Sequence, residues 1–214
     1  EAYDMEIELD GSDEEEELLH TLELSFRHNA RLHEHVRFLY SNGSMYKCCN
    51  SNLLYHGCIP MTENREFDGL MVGGKMYRGK ELMDFIDTQV KNAYFLPEDA
   101  PEKEACRDFM WYLWNGAKSP VFGKDKNRSF EHYFIEDPEV MRETMNPYYQ
   151  LSEKEDCCRK ILKEFGLSPE EGHIINGHVP VHQSEGESPV KCNGKVLVID
   201  GGFSRPYQKV TGIA

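Results

Sequence analysis

Two short apolar stretches each run straight into a histidine beside a glycine, and this pairing constrains the fold more than any other feature of the chain. The first is Asn52-Leu53-Leu54-Tyr55-His56-Gly57-Cys58-Ile59-Pro60, the second His173-Ile174-Ile175-Asn176-Gly177-His178-Val179-Pro180-Val181. Apolar runs this short read as buried strands. Glycine lets the chain turn sharply where a strand ends, and the proline that follows each histidine within four residues stiffens the exit. Histidines so placed at the carboxyl end of a sheet suit a metal site. Each of them singly also suits a hydrogen-bonded core position, and the pattern leaves both readings open. No aspartate stands in a GDxH or GDxxD setting, so a two-metal hydrolytic centre needs further ligands from elsewhere.

The remaining pattern surrounds these strands with helices. An acidic run, Asp10 to Glu17, precedes Leu18, Leu22, Phe26, Leu32, Val36 and Leu39 at helical spacings, which predicts one or two helices over residues 14–40 with carboxylates at the positive end of the dipole. A strand is expected at 44–47, a hairpin around Gly73-Gly74, and helices near 81–86 and 104–114, the latter ended by Asn115-Gly116. Ser152 and Glu155 are spaced as a capping box for a helix through Cys157, Ile161 and Leu162 that stops at Gly166. A last strand, 195–199, ends in Asp200-Gly201-Gly202. Strands at both ends with helices between them argue an α/β (α+β) fold with the strands meeting in one core.

Two further stretches carry cations. The aromatic segment from Trp111 to Trp114 gives way to a Gly/Pro loop with Lys118 and Lys124, and the last strand is followed by Arg205, Tyr207 and Lys209. Each reads either as a phosphate-facing element or as an ordinary solvated turn. Among the 214 residues the formal charge is −14, which disfavours a nucleic-acid partner but not a small phosphorylated ligand. No apolar run reaches the roughly 20 residues of a bilayer span, so no membrane partner is expected. Seven cysteines without a CxxC pair read as reduced thiols. The first residues, Glu1-Ala2-Tyr3-Asp4, and the last, Thr211-Gly212-Ile213-Ala214, suggest a segment of a longer protein without a secretory signal. The other histidines, His132 among them, are assigned surface or core roles.

Several blocks together resemble the class III fructose-1,6-bisphosphatases of Firmicutes-type bacteria. They are His35-Val36-Arg37-Phe38-Leu39-Tyr40, Gly43-Ser44-Met45-Tyr46-Lys47, the first histidine stretch, and Leu113-Trp114 with Lys118-Ser119-Pro120. Phe122-Gly123-Lys124-Asp125, the second histidine stretch, Gly186-Glu187-Ser188-Pro189 and Val198-Ile199-Asp200-Gly201-Gly202-Phe203-Ser204 complete the likeness, which runs from about residue 24 to the end. The resemblance implies part of a calcineurin-like metallophosphoesterase β-sandwich flanked by helices around two metal ions, typically manganese. It makes residues 1–43 an acidic, helical lead-in and 44–214 the C-terminal portion of the phosphoesterase domain, with a helical insert at about 79–166. It makes His56 and His178 metal ligands, the others lying in GDxH, GDxxD and GNH motifs that are upstream in the family and not present here.

Lys118, Lys124, Arg205 and Lys209 are then candidates to hold the sugar phosphates. The implied activity is hydrolysis of fructose 1,6-bisphosphate to fructose 6-phosphate and phosphate, in cytoplasmic gluconeogenesis, with this segment inactive alone. A homo-oligomer stays open. Two alternatives stand beside this reading: a non-catalytic folded module, and a metallophosphatase with another substrate, such as a phosphoprotein. The blocks at 43–47 and 122–125, outside the metal motifs, resemble the sugar phosphatase specifically and weigh against the latter.

Overall fold

The computed structural model describes residues 12–200 and Arg205. The chain divides into two compact units, residues 1–43 and 44–214. In the first, the apolar periodicity resolves into two helices, α1 (Asp13–Arg27) and α2 (Ala30–Asn42). Ser12 accepts a hydrogen bond from the Glu15 amide at 3.3 Å, and Asn29 accepts one from the Leu32 amide at 3.0 Å. These short polar caps explain why one apolar pattern breaks into two helices, since Asn29 satisfies the free amides of a new helix start.

The second unit holds a five-stranded sheet in the order β1 (Tyr46–Cys49), β2 (Asn52–Tyr55), β5 (His173–Asn176), β7 (Val196–Val198), β6 (Val190–Lys191). Strands β1 (Tyr46–Cys49) and β2 (Asn52–Tyr55) form an antiparallel hairpin. Its two turn residues, Asn50 and Ser51, both take positive φ, 49° and 63°, the twist that a two-residue hairpin requires. A separate hairpin, β3 (Gly69–Val72) and β4 (Lys75–Arg78), turns at Gly73 and Gly74, as their pattern predicts. Helices α3 (Gly79–Phe95) and α4 (Lys103–Asn115) follow and bury Leu82, Ile86 and Leu113 against each other. Short helices α5 (Pro138–Met141) and α6 (Tyr148–Leu151) lead to α7 (Glu155–Glu164). The sheet is completed by β5 (His173–Asn176), β6 (Val190–Lys191) and β7 (Val196–Val198). This is the expected mixed α/β architecture. The second large sheet of a β-sandwich is not among the described residues.

The capping box expected at Ser152 and Glu155 does not form. Ser152 closes α6 instead, its hydroxyl donating to the Tyr149 carbonyl at 3.1 Å, and α7 starts after Lys154 without a side-chain cap. Burial of Ser152 decides the matter, because the short helix before it lies against the core and claims its hydroxyl.

Strands β2, β5 and β7 run parallel, with Leu53 opposite Ile174 and Ile174 opposite Val196. These three make one row, each at most 1% exposed, and α7 covers them with Cys157, Cys158, Ile161 and Leu162. A fully buried aliphatic side chain contributes roughly 1.5–3 kcal/mol. Ile174→Ala, in the middle of the row, is therefore expected to lower stability by about 2–5 kcal/mol, a transfer loss plus a cavity. Urea unfolding should show a lower midpoint at unchanged slope, and an unchanged midpoint would mean that the row is not the core.

Candidate metal centre

Parallel register puts the carboxyl ends of β2, β5 and β7 on one edge of the sheet. His56, Gly177-His178 and Ile199-Asp200 therefore leave the sheet side by side. The Gly177 amide donates to the His56 carbonyl at 2.8 Å, and the Ile199 amide to the Asn176 carbonyl at 2.8 Å. Gly57 has no room for a side chain, because a Cβ there would lie 2.4 Å from the Pro120 carbonyl oxygen. That carbonyl accepts from the Cys58 amide at 2.9 Å, so the loop carrying Lys118 and Lys124 is stitched to the turn after His56. Buried Ser119 shapes the loop, donating to the Leu113 carbonyl at 2.6 Å and accepting from the Val121 and Phe122 amides at 3.3 Å each.

The two histidines meet. His56 Nε2 lies 3.0 Å from His178 Nδ1, with the rings edge to face. His178 Nε2 is 2.8 Å from the Phe122 carbonyl oxygen. A carbonyl only accepts, so Nε2 carries the proton and Nδ1 presents its lone pair toward His56. His178 holds this pose in a left-handed backbone conformation, φ 70°. Partial burial, and after it the neighbouring His178, lower the pKa of His56 below the ordinary imidazole value, with Asp200 opposing. His56 is thus neutral near pH 7, the form that ligates metals.

This donor set fits a divalent ion in part. The two imidazoles converge, and one ring has its other nitrogen fixed by a carbonyl, as metal-bound histidines do, while the proton that His56 Nε2 shares with His178 Nδ1 would have to leave Nε2 for an ion to bind. Among the described residues, no cluster of three or more His, Cys, Asp or Glu side chains is placed to hold an ion.

Both histidines line a cavity of about 520 Å³ together with Trp114, Lys124, His132 and Glu143. The four cation candidates separate here. Lys124 faces this cavity and pairs with Glu143 at 2.6 Å. Burial alone would raise the Glu143 pKa, but hydrogen bonds from Lys124 and the Arg128 amide hold it below the usual carboxylate value. Lys118 faces a neighbouring cavity of about 630 Å³, which Lys124 also lines, and is held by Asp68 at 3.1 Å. Arg205 is exposed, and Lys209 lies outside the described residues. His132 and Trp114 are wall residues that periodicity does not single out. Asp200 was legible only as the end of a strand, and its carboxylate lies beside Gly177.

Comparison with known proteins places this edge in a family. The family model described as Firmicute fructose-1,6-bisphosphatase matches residues 4–214. The chain is 53% identical over 201 residues to fructose-1,6-bisphosphatase class 3 1 of Clostridium beijerinckii, covering 94% of this chain and 30% of that protein. It is 52% identical over 202 residues to fructose-1,6-bisphosphatase class 3 of Fusobacterium nucleatum, with 94% and 31% covered. The Bacteroides fragilis protein of the same name is 49% identical over 203 residues, with 95% and 31% covered. The chain thus spans about three tenths of the length of the curated relatives it matches. No solved structure matches it. With the likeness running through both histidine turns, the loop between them and nearly all the rest, the chain belongs to the Firmicute fructose-1,6-bisphosphatase family.

Proposed function

We propose that this chain is the part of a fructose-1,6-bisphosphatase that supplies two histidine ligands and one wall of the active site. The reaction is hydrolysis of fructose 1,6-bisphosphate to fructose 6-phosphate and phosphate, in cytoplasmic gluconeogenesis. In this reading residues 44–214 are the C-terminal portion of a calcineurin-like metallophosphoesterase domain and residues 1–43 its helical lead-in. The observation that carries it is the convergence of His56 Nε2 and His178 Nδ1 at 3.0 Å, in a cavity also walled by Lys124. The relatives' names supply the substrate.

His56 and His178 would hold one divalent ion, manganese by preference among family cofactors, and remaining ligands come from outside the described residues. Such an ion supplies Lewis-acid polarisation of a phosphoryl oxygen. The chain's own residues do the rest. The Phe122 carbonyl keeps the His178 proton on Nε2, so that Nδ1 carries no proton of its own. Lys124 spends one N–H on Glu143 and keeps two more for a phosphate oxygen, since an ammonium has three donors. Lys118, facing the adjoining cavity, holds phosphate less directly, and Arg205 and Lys209 are reserve candidates for the same task. No helix among the described residues is long and apolar enough to cross a membrane.

The test uses the full-length family protein that contains this segment. A cation on the non-reacting phosphate contributes orientation, so its loss should matter only for a substrate with two phosphates. Lys124→Ala is expected to lower kcat/KM for the bisphosphate by about 1.5–3 kcal/mol, the range of a hydrogen bond to a charged group, with a much smaller loss on an aryl phosphate. Lys118→Ala should affect the bisphosphate less than Lys124→Ala does. Equal small losses on both substrates would return Lys124 to a structural ion pair with Glu143.

A further inference from the structure

Asn176 ends β5, one residue before the Gly177-His178 turn, and is 4% exposed. Its Nδ2 lies 3.1 Å from the Gly57 carbonyl oxygen and 3.0 Å from the Tyr148 hydroxyl. A carbonyl accepts only, so the amide nitrogen and not the oxygen must face Gly57, and this fixes the orientation of the side chain. One N–H goes to Gly57 and the other to the Tyr148 oxygen, and the Tyr148 and Tyr55 hydroxyls share a hydrogen bond at 2.6 Å. Asn176 Oδ1 then points the other way and has no partner among the described residues.

A buried amide oxygen without a partner is destabilising, and an apolar side chain of the same size would avoid it. Folding alone therefore does not account for an asparagine here. What the asparagine does is join the two histidine turns. Its side chain holds Gly57, which follows His56, while its own backbone leads directly into His178. The Gly177 amide on the His56 carbonyl, at 2.8 Å, is the only other hydrogen bond between these turns' backbones among those described, and the Cys58 amide ties the chain after His56 to the Pro120 carbonyl rather than to the turn before His178.

We infer that Asn176 is a positioning residue, which clamps the turn after His56 to the turn before His178 so that the two imidazoles converge. The inference rests on the metal-centre reading of that pair. Asn176→Leu keeps the bulk, removes both donors and removes the orphan oxygen. Tyr148→Phe is the matched control, because it removes the second acceptor and leaves the bond to Gly57 in place.

Two readouts, one by NMR on the 214-residue chain and one by manganese binding to the full-length family protein that contains it, keep the inference and the metal reading apart. In the metal-free protein, NMR should show a ring-to-ring NOE between His56 and His178 and an Nε2–H tautomer for His178. Asn176→Leu is expected to lose the NOE and Tyr148→Phe to keep it. In the full-length family protein that contains this segment, electron spin resonance of free manganese should show binding weakened about 10–100-fold by Asn176→Leu, the usual cost of losing a group that orients a ligand, and unchanged by Tyr148→Phe. Thermal melts of all three proteins report stability, which a purely structural role would move in parallel for both variants. If Asn176→Leu does not fold, Asn176→Ala is measured the same way. An NOE and a manganese affinity that survive loss of the Asn176 donors would overturn the clamp. A full-length family protein that binds no manganese, while the NOE of the 214-residue chain responds as expected, would instead count against the metal reading alone.

Discussion

In the full-length family protein that contains this segment, His56→Ala and His178→Ala are each expected to lose manganese affinity and kcat by more than ~100-fold, the upper end of what removal of a merely supporting group costs. Each change deletes one of two nitrogens that lie 3.0 Å apart, and among the described residues no third His, Cys, Asp or Glu completes a cluster that could replace it. Both side chains stand at the sheet edge rather than in the Leu53, Ile174 and Val196 row, so the fold should survive. Metal content by plasma mass spectrometry, steady-state kcat and a thermal melt together make the test. Variants that keep metal and turnover would leave the histidines as a hydrogen-bonded pair, with His178 Nδ1 simply accepting from His56.

The 214-residue chain by itself, supplied with manganese, should release no phosphate from fructose 1,6-bisphosphate above background. Stabilising both the attacking and the leaving oxygen in an in-line displacement takes two ions and their bridging ligands. The described residues provide two imidazoles that converge on one point and no ligand cluster for a second ion. Coupled-enzyme detection of fructose 6-phosphate, run beside a full-length relative as positive control, makes this decisive. Turnover at a rate comparable to the control would mean that this segment holds a complete site.

Much of the fold is local and could be read residue by residue. The hairpin at Gly73-Gly74 is legible because both positions take positive φ, which glycine allows without strain. The three central strands are legible as apolar runs ended by glycine. The capping box failed because helix α6, unmarked by any periodicity, competed for Ser152 and buried it. Strand β1 sits two residues later than its sequence signal, because the left-handed turn at Asn50 and Ser51 sets the hairpin register. The lysines in the loop looked alike in sequence. Their partners lie 50 residues away for Lys118, at Asp68, and 19 away for Lys124, at Glu143, so no local pattern could tell which one faces the histidines.

Strand propensity and glycine's freedom act over a few residues, so the standing of two histidines at strand-to-loop turns is a local property of the chain. That they meet is a long-range outcome of packing. His56 and His178 are 122 positions apart, and their approach depends on β2 and β5 pairing in parallel with Leu53 opposite Ile174. A shift of that register by one residue would turn the side chains of β5 to the opposite face and carry the His178 turn away from His56. Register is fixed by burial of the Leu53, Ile174 and Val196 row under α7, a sum of contacts between segments distant along the chain. The same packing brings Asn176 against Gly57 and Phe122 against His178, and so sets where each ring nitrogen points.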